Sequence, residues 1–195
     1  MIQAKKPRFP FRRKQQAPKK PNYAFIDAQN LNLGVQRVGW KMDWKKFRKF
    51  LQDKYRVEKA YMFIGYVPDN ESLYKQMQEA GYTVVLKPTV DMLMSEEELK
   101  DEKHVTKGNA DAELVLYAMK DLHKYNKAVI VSGDGDFYCL VEYLQEQGKL
   151  LQLLTPNNHY SSLYKPYESY THVLDKDKQE LAYTFIRRNK RPKSK

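Results

Sequence analysis

The apolar run Ala128-Val129-Ile130-Val131 opens directly into Ser132-Gly133-Asp134-Gly135-Asp136-Phe137. A second apolar run, Tyr23-Ala24-Phe25-Ile26, ends in Asp27-Ala28-Gln29-Asn30. Carboxylates gathered in one place repel one another unless a cation lies between them, and hard oxygen donors favour Mg²⁺ or Mn²⁺. The two segments therefore predict an acidic metal site, provided the fold brings their ends together. Each aspartate also has a plainer use. Asp-Gly is a common turn pair, aspartate is a favoured helix N-cap, and an acid in the first turn of a helix meets its dipole favourably. Asp27 fits those uses least, because it ends an apolar strand expected to be buried on both faces.

Positioning these residues requires strands that alternate with helices, and the pattern from residue 22 onward supplies them. After the first strand comes a helix with Asp43 as N-cap and Trp44, Phe47, Phe50 and Leu51 on one face. A strand over residues 57–66 follows, then a helix over 70–80 ended by Gly81, then a strand over 82–87. Residues 88–106 contain Pro88 and Glu96-Glu97-Glu98, show no clear period, and read as a surface excursion. A helix over 109–125 precedes the strand at 127–131. Asp136 is placed to cap a helix running to Gln147, and a strand over 150–154 follows. A short helix near 160–165, an edge strand at 171–174 and a helix over 177–188 close the pattern. The fold class is α/β, a three-layer domain with a largely parallel five-stranded or six-stranded sheet. In such open sheets ligands bind beyond the carboxyl ends of the strands, where the strand order reverses. Asp27 and Asp134 close strands there, Asp136 enters the next helix, and Asp111 starts the helix after the third strand. One rim is predicted to collect all four.

The net charge of +11 is unevenly spread. Of the 35 Lys and Arg, eight lie in residues 1–21 and six in 187–195, and neither segment holds an acid. Residues 22–186 thus carry 21 basic against 24 acidic side chains. The chain divides into a disordered basic tail over 1–21, one domain over 22–186 and a second basic tail over 187–195. Basic tails gain affinity for nucleic acid by releasing counterions from phosphates.

A single cysteine, Cys139, excludes an intramolecular disulfide and fits a reducing, cytoplasmic setting. It is expected to pack on the helix after the acidic turn. Apolar stretches such as Ala60 to Ile64 fall far short of the roughly 18 residues needed to span a bilayer, so no membrane partner is expected. The first 21 residues lack an apolar signal core, and four prolines break the helix a mitochondrial presequence needs. His104, His123, His159 and His172 show no metal-ligand spacing. Tyr160, Tyr164, Tyr167 and Tyr170 suit packing better than base stacking, because Pro166 interrupts the stripe.

Three segments together resemble a known family: Phe25-Ile26-Asp27-Ala28-Gln29-Asn30-Leu31, Lys107-Gly108-Asn109-Ala110-Asp111 and Val131-Ser132-Gly133-Asp134-Gly135-Asp136-Phe137. In order and approximate spacing they are similar to the NYN domain of the PIN-like nuclease superfamily, in its bacterial LabA-like branch, over residues 22–175. The resemblance implies a Rossmann-like sheet and a metal-dependent endoribonuclease leaving 5′-phosphate products. It implies Asp27, Asp111, Asp134 and Asp136 as metal-site acids, Asn30 as an adjacent polar ligand or phosphate-positioning group, and Ser132 as the residue orienting the acidic turn. Lys107 and Lys87 lie near the predicted rim, placed to neutralise substrate phosphates. Ala28 stands where many relatives have glycine, and Tyr117 where many have a further aspartate, with Glu113 a partial substitute. The second departure supports an alternative reading, an RNA-binding or ribonucleoprotein scaffold with the same fold. A nuclease of DNA flaps would need a long helical arch that this pattern lacks.

Overall fold

A computed structural model of the chain describes residues 20–65, 70–87 and 110–184. The basic segments 1–19 and 185–195, the excursion at 88–106 and Lys107 lie outside the described residues. Six strands form one all-parallel sheet: β1 (Asn22–Asp27), β2 (Val57–Gly65), β3 (Tyr82–Lys87), β4 (Ala128–Val131), β5 (Leu150–Thr155) and β6 (Thr171–Val173). Their order is β3-β2-β1-β4-β5-β6. The chain therefore winds outward from β1 in one direction, crosses back, and winds outward from β4 in the other.

Parallel strands need crossovers, and right-handed crossovers in opposite directions lie on opposite faces. One face carries α1 (Ala28–Arg37), α2 (Trp44–Tyr55) and α3 (Glu71–Glu79). They pack on Ala24, Ile26, Met62, Val129 and Val131. The other face carries α4 (Asp111–Lys120), α5 (Tyr138–Glu146) and a 3-10 segment, Ser162–Tyr170. These cover Phe25, Tyr61, Phe63, Ile130 and Leu153. Successive strand residues feed the two cores alternately, so the central strands read as continuous apolar runs. Ala24, Phe25, Ile26 and residues 128–131 are all fully buried.

Local signals set several boundaries as the sequence predicts. Asp43 Oδ1 accepts from the amides of Lys45 and Lys46 and so caps α2. Gly81 follows α3 with φ of +93°, a conformation that side-chain-bearing residues rarely adopt. Other boundaries differ. The sequence pattern places no helix between β1 and Asp43, yet α1 occupies Ala28–Arg37. Asn30, Asn32 and Gly34 weaken its intrinsic propensity. It forms because Ala28, Leu31 and Val35 share a buried face and because Asp27 caps it. The expected helix over 109–125 is shorter at both ends. The helix expected over 177–188 is a 3-10 turn at Leu174–Asp177 and then α6 (Lys178–Leu181). Residues 182–184 extend instead, and residues 185–188 of the expected helix lie outside the described residues. Ala182 bridges Met42, the Tyr183 amide donates to the Lys41 carbonyl, and that pairing replaces further helical turns. Cys139 is exposed on α5 rather than packed. No helix among the described residues is long and apolar enough to cross a membrane.

One close approach fixes α1 against the far half of the sheet. A Cβ on Gly34 would lie 2.4 Å from Pro156 Cβ, just beyond β5. The Gly34 carbonyl also accepts from Asn157 Nδ2 at 2.7 Å. Helix propensity alone would make Gly34→Ala stabilising by about 1 kcal/mol. The collision with Pro156 predicts a loss of about 1–3 kcal/mol instead. Urea unfolding of the variant and the parent distinguishes the two by sign.

Candidate metal centre

Between β1 and β4 the strand order reverses, and the paired residues Ile26 and Val131 deliver the next segments to one crevice. Asp27 ends β1 in an extended conformation. Its Oδ1 accepts from the Asn30 amide at 3.0 Å, capping α1. Its Oδ2 accepts from Ser132 Oγ at 3.1 Å. The same hydroxyl oxygen accepts from the Asp134 amide at 3.1 Å, so one buried serine joins the end of β1 to the turn after β4. Asn30 makes a second tie, its Oδ1 accepting from the Gly133 amide at 2.8 Å.

The turn itself is built to present acids. Asp134 Oδ1 accepts from the Asp136 amide at 3.1 Å and caps a 3-10 turn, Gly135–Phe137. Asp134, not Asp136, is therefore the capping residue, because a 3-10 turn precedes α5 and starts two residues earlier than the expected helix. Phe137 is fully buried and anchors the turn in the core. Gly135 is required by space, since a Cβ there would meet Ser161 Oγ at 2.5 Å. Tyr164, wholly buried, donates its hydroxyl to the Asp134 carbonyl. Asp111 comes from the opposite direction as the first residue of α4, the crossover from β3 to β4.

These elements bring one carboxylate oxygen each of Asp111, Asp134 and Asp136 within 4.8 Å of one another. The donor set is all carboxylate, and two oxygens on one ion at bond lengths of about 2.0–2.6 Å lie at most about 4–5 Å apart, a range that includes this spacing. The residues present fit a small hard cation. Asp27 stands beside this group rather than in it, with both oxygens engaged by Asn30 and Ser132. Burial raises its pKa to about 6, against the lowering effect of the Asn30 amide, and the negative charges of Asp111 and Asp134 push the same way as burial.

Lys87 ends β3 and its Nζ lies 3.6 Å from Glu113 Oε2, on the first turn of α4. Tyr117 is an aromatic packing residue, its ring 5.3 Å from that of Tyr61 and 5.6 Å from that of Phe63. Ala28 is the first residue of α1 and needs no positive φ. Sequence reasoning missed two features. Tyr164 holds the acidic turn from behind, which the tyrosine spacing does not reveal. Arg37 and His159 line a recess of about 180 Å³ together with Asn30 and Gly133. Arg37 went unnoticed because the helix carrying it did.

A family model described as the NYN domain matches residues 23–174. The low amplitude and bright protein LabA of Synechococcus elongatus is 26% identical over 125 residues, which is 62% of this chain and 66% of that protein. The match thus spans just under two thirds of the relative's length. A solved structure of a protein of unknown function from Vibrio parahaemolyticus superposes with a TM-score of 0.65 at 20% identity. It covers 87% of this chain and all of that one, a likeness of fold.

The raised pKa of Asp27 has a defined sign in stability. Folded protein holds the Asp27 proton up to about pH 6, whereas the unfolded chain releases it near 3.8. Folding therefore binds a proton in this window, and the contribution of Asp27 falls as pH rises through it. With cations chelated, the stability of the parent relative to Asp27→Asn should drop by up to about 3 kcal/mol between pH 4 and 7. Urea unfolding at several pH values measures it, and a flat difference would contradict the assignment.

Proposed function

The chain belongs to the NYN-domain family, and from that premise we propose that it is a metal-dependent endoribonuclease. The observation that supports this reading is the convergence of Asp111, Asp134 and Asp136 at the strand-order reversal, with oxygens within 4.8 Å. Mg²⁺ or Mn²⁺ is the proposed ion. A divalent cation bound there supplies Lewis acidity, lowering the pKa of water and neutralising phosphodiester charge. The side chains have separate tasks. Asp111, Asp134 and Asp136 hold the cation. Asp27, close enough to feel the negative charges of Asp111 and Asp134, adds negative potential and is proposed to accept a proton from the attacking water. Ser132, Asn30 and Tyr164 keep the acids in position through the bonds described above.

Water then adds to phosphorus as its bond to the 3′ oxygen breaks, and that oxygen leaves with a proton. The products carry a 5′ phosphate and a 3′ hydroxyl. No side chain is needed as nucleophile. Lys107 and Lys87 are proposed to meet neighbouring phosphates. The two basic tails are proposed to hold RNA electrostatically, without reading sequence.

Purified protein and Asp134→Asn, each offered pooled cellular RNA with Mg²⁺, with Mn²⁺ and with chelator, test the reading. The parent should cut in either metal and not in chelator, and the variant should lose at least about 100-fold, as expected when a cation ligand is removed. RNA binding without cutting in any metal would instead assign an RNA-binding scaffold. Deleting residues 1–21 and 187–195 removes 14 basic side chains. Affinity should fall and the slope of log affinity against log salt should flatten, by roughly 0.7 for each single-strand phosphate that the tails neutralise in the parent. An unchanged slope would remove the tails from the interface.

A further inference from the structure

A second, larger cavity lies on the other side of α1 from the Arg37 recess. Its volume is about 380 Å³, and it is walled by the first half of α1, the start of α2, the carboxyl end of β2 and α3. The size falls in the range of about 300–1,000 Å³ typical of small organic ligands. Its chemistry is specific. Among the described residues none that lines it is charged. Leu33, Trp44 and Ile64 give it apolar walls, and Gln29, Asn32 and Asn70 contribute three amides.

Apolar faces with amide donors and acceptors around them match a heterocycle that is flat on its faces and polar at its edge. Two details strengthen the match. Asn70 stands at the N-cap position of α3, where asparagine ordinarily bonds to the helix, yet its side chain makes no capping bond. Its amide is not committed to holding the helix. Gln36 Nε2 donates to Asn32 Oδ1 at 3.0 Å, fixing that amide so that its nitrogen faces away from the bond. Location adds a third argument. Ala28 and Gln29, in the cavity wall, directly follow Asp27 in the chain.

We propose that this cavity takes one unpaired nucleobase of the RNA, next to the phosphate presented to the acidic centre. The inference rests on the RNA-binding part of that reading and sharpens it, since a base must leave its helix to enter such a recess. Trp44 contributes the stacking face, and Asn70 and Gln29 contact the base edge.

The test uses the full chain in chelator, so that nothing is cut. Affinity is measured for a short single-stranded oligoribonucleotide, for a set of copies each abasic at one position, and for the matching duplex. Trp44→Ala should weaken binding of the intact strand about tenfold, the usual scale for losing one stacked base. The same variant should make little difference to the copy whose abasic position corresponds to the cavity, and none to the duplex. Asn70→Ala, which breaks no helix-capping bond, serves as a second variant and should alter preference among the bases at that one position. If both variants bind every strand as the parent does, the cavity has another occupant and the proposal falls while the nuclease reading stands. If abasic positions and Trp44→Ala weaken binding independently, the proposal also falls. A parent that binds no RNA at all overturns both readings, and coupling without cleavage in metal keeps this one while removing the other.

Discussion

The pairing of β1 with β4 is the constraint on which the rest depends. Neither strand is long, and β4 has only four residues. Because they are neighbours, crossovers leave β1 on one face and β4 on the other, and the segments that follow them cannot cover the crevice between. Everything acidic is delivered there by chain geometry. Asp27 arrives by ending β1, Asp134 and Asp136 by following β4, and Asp111 by starting the crossover that returns to β4.

Holding acids together without a cation costs electrostatic energy, and the structure meets that cost with neutral hydrogen-bond donors. The Asn30 and Asp136 amides and the Ser132 hydroxyl all point at carboxylate oxygens. Asp111 gains from the positive end of α4. Behind this shell lie Phe137 and Tyr164, both fully buried, so the acidic turn is braced by core packing as well as by polar contacts.

How much of this was legible in the sequence follows from which interactions are local. Apolar runs buried on both faces announce a central strand of a parallel sheet, and β1 and β4 were readable for that reason. Asp43 and Gly81 mark helix ends through contacts made within a few residues. α1 was missed because its capping residue, Asp27, looked like a ligand and its interior holds two asparagines and a glycine. Tertiary packing of Leu31 and Val35 overrides that weak propensity. α6 was overextended because the bridge between Ala182 and Met42 joins segments 140 residues apart. That the four acids come to one rim was readable, but which of them group together was not. That Asp27 spends its oxygens on Asn30 and Ser132, outside the group of three, depends on contacts 105 residues apart in sequence.

That double engagement separates the shape of Asp27 from its charge. Asparagine has the same outline, keeps an oxygen for the Asn30 amide, and can donate to the Ser132 oxygen, whereas alanine abandons both ends. In evolutionary terms the position offers a cheap exit from chemistry and an expensive one. A lineage that kept this architecture while giving up the carboxylate charge would lose little fold stability with asparagine here and much with alanine.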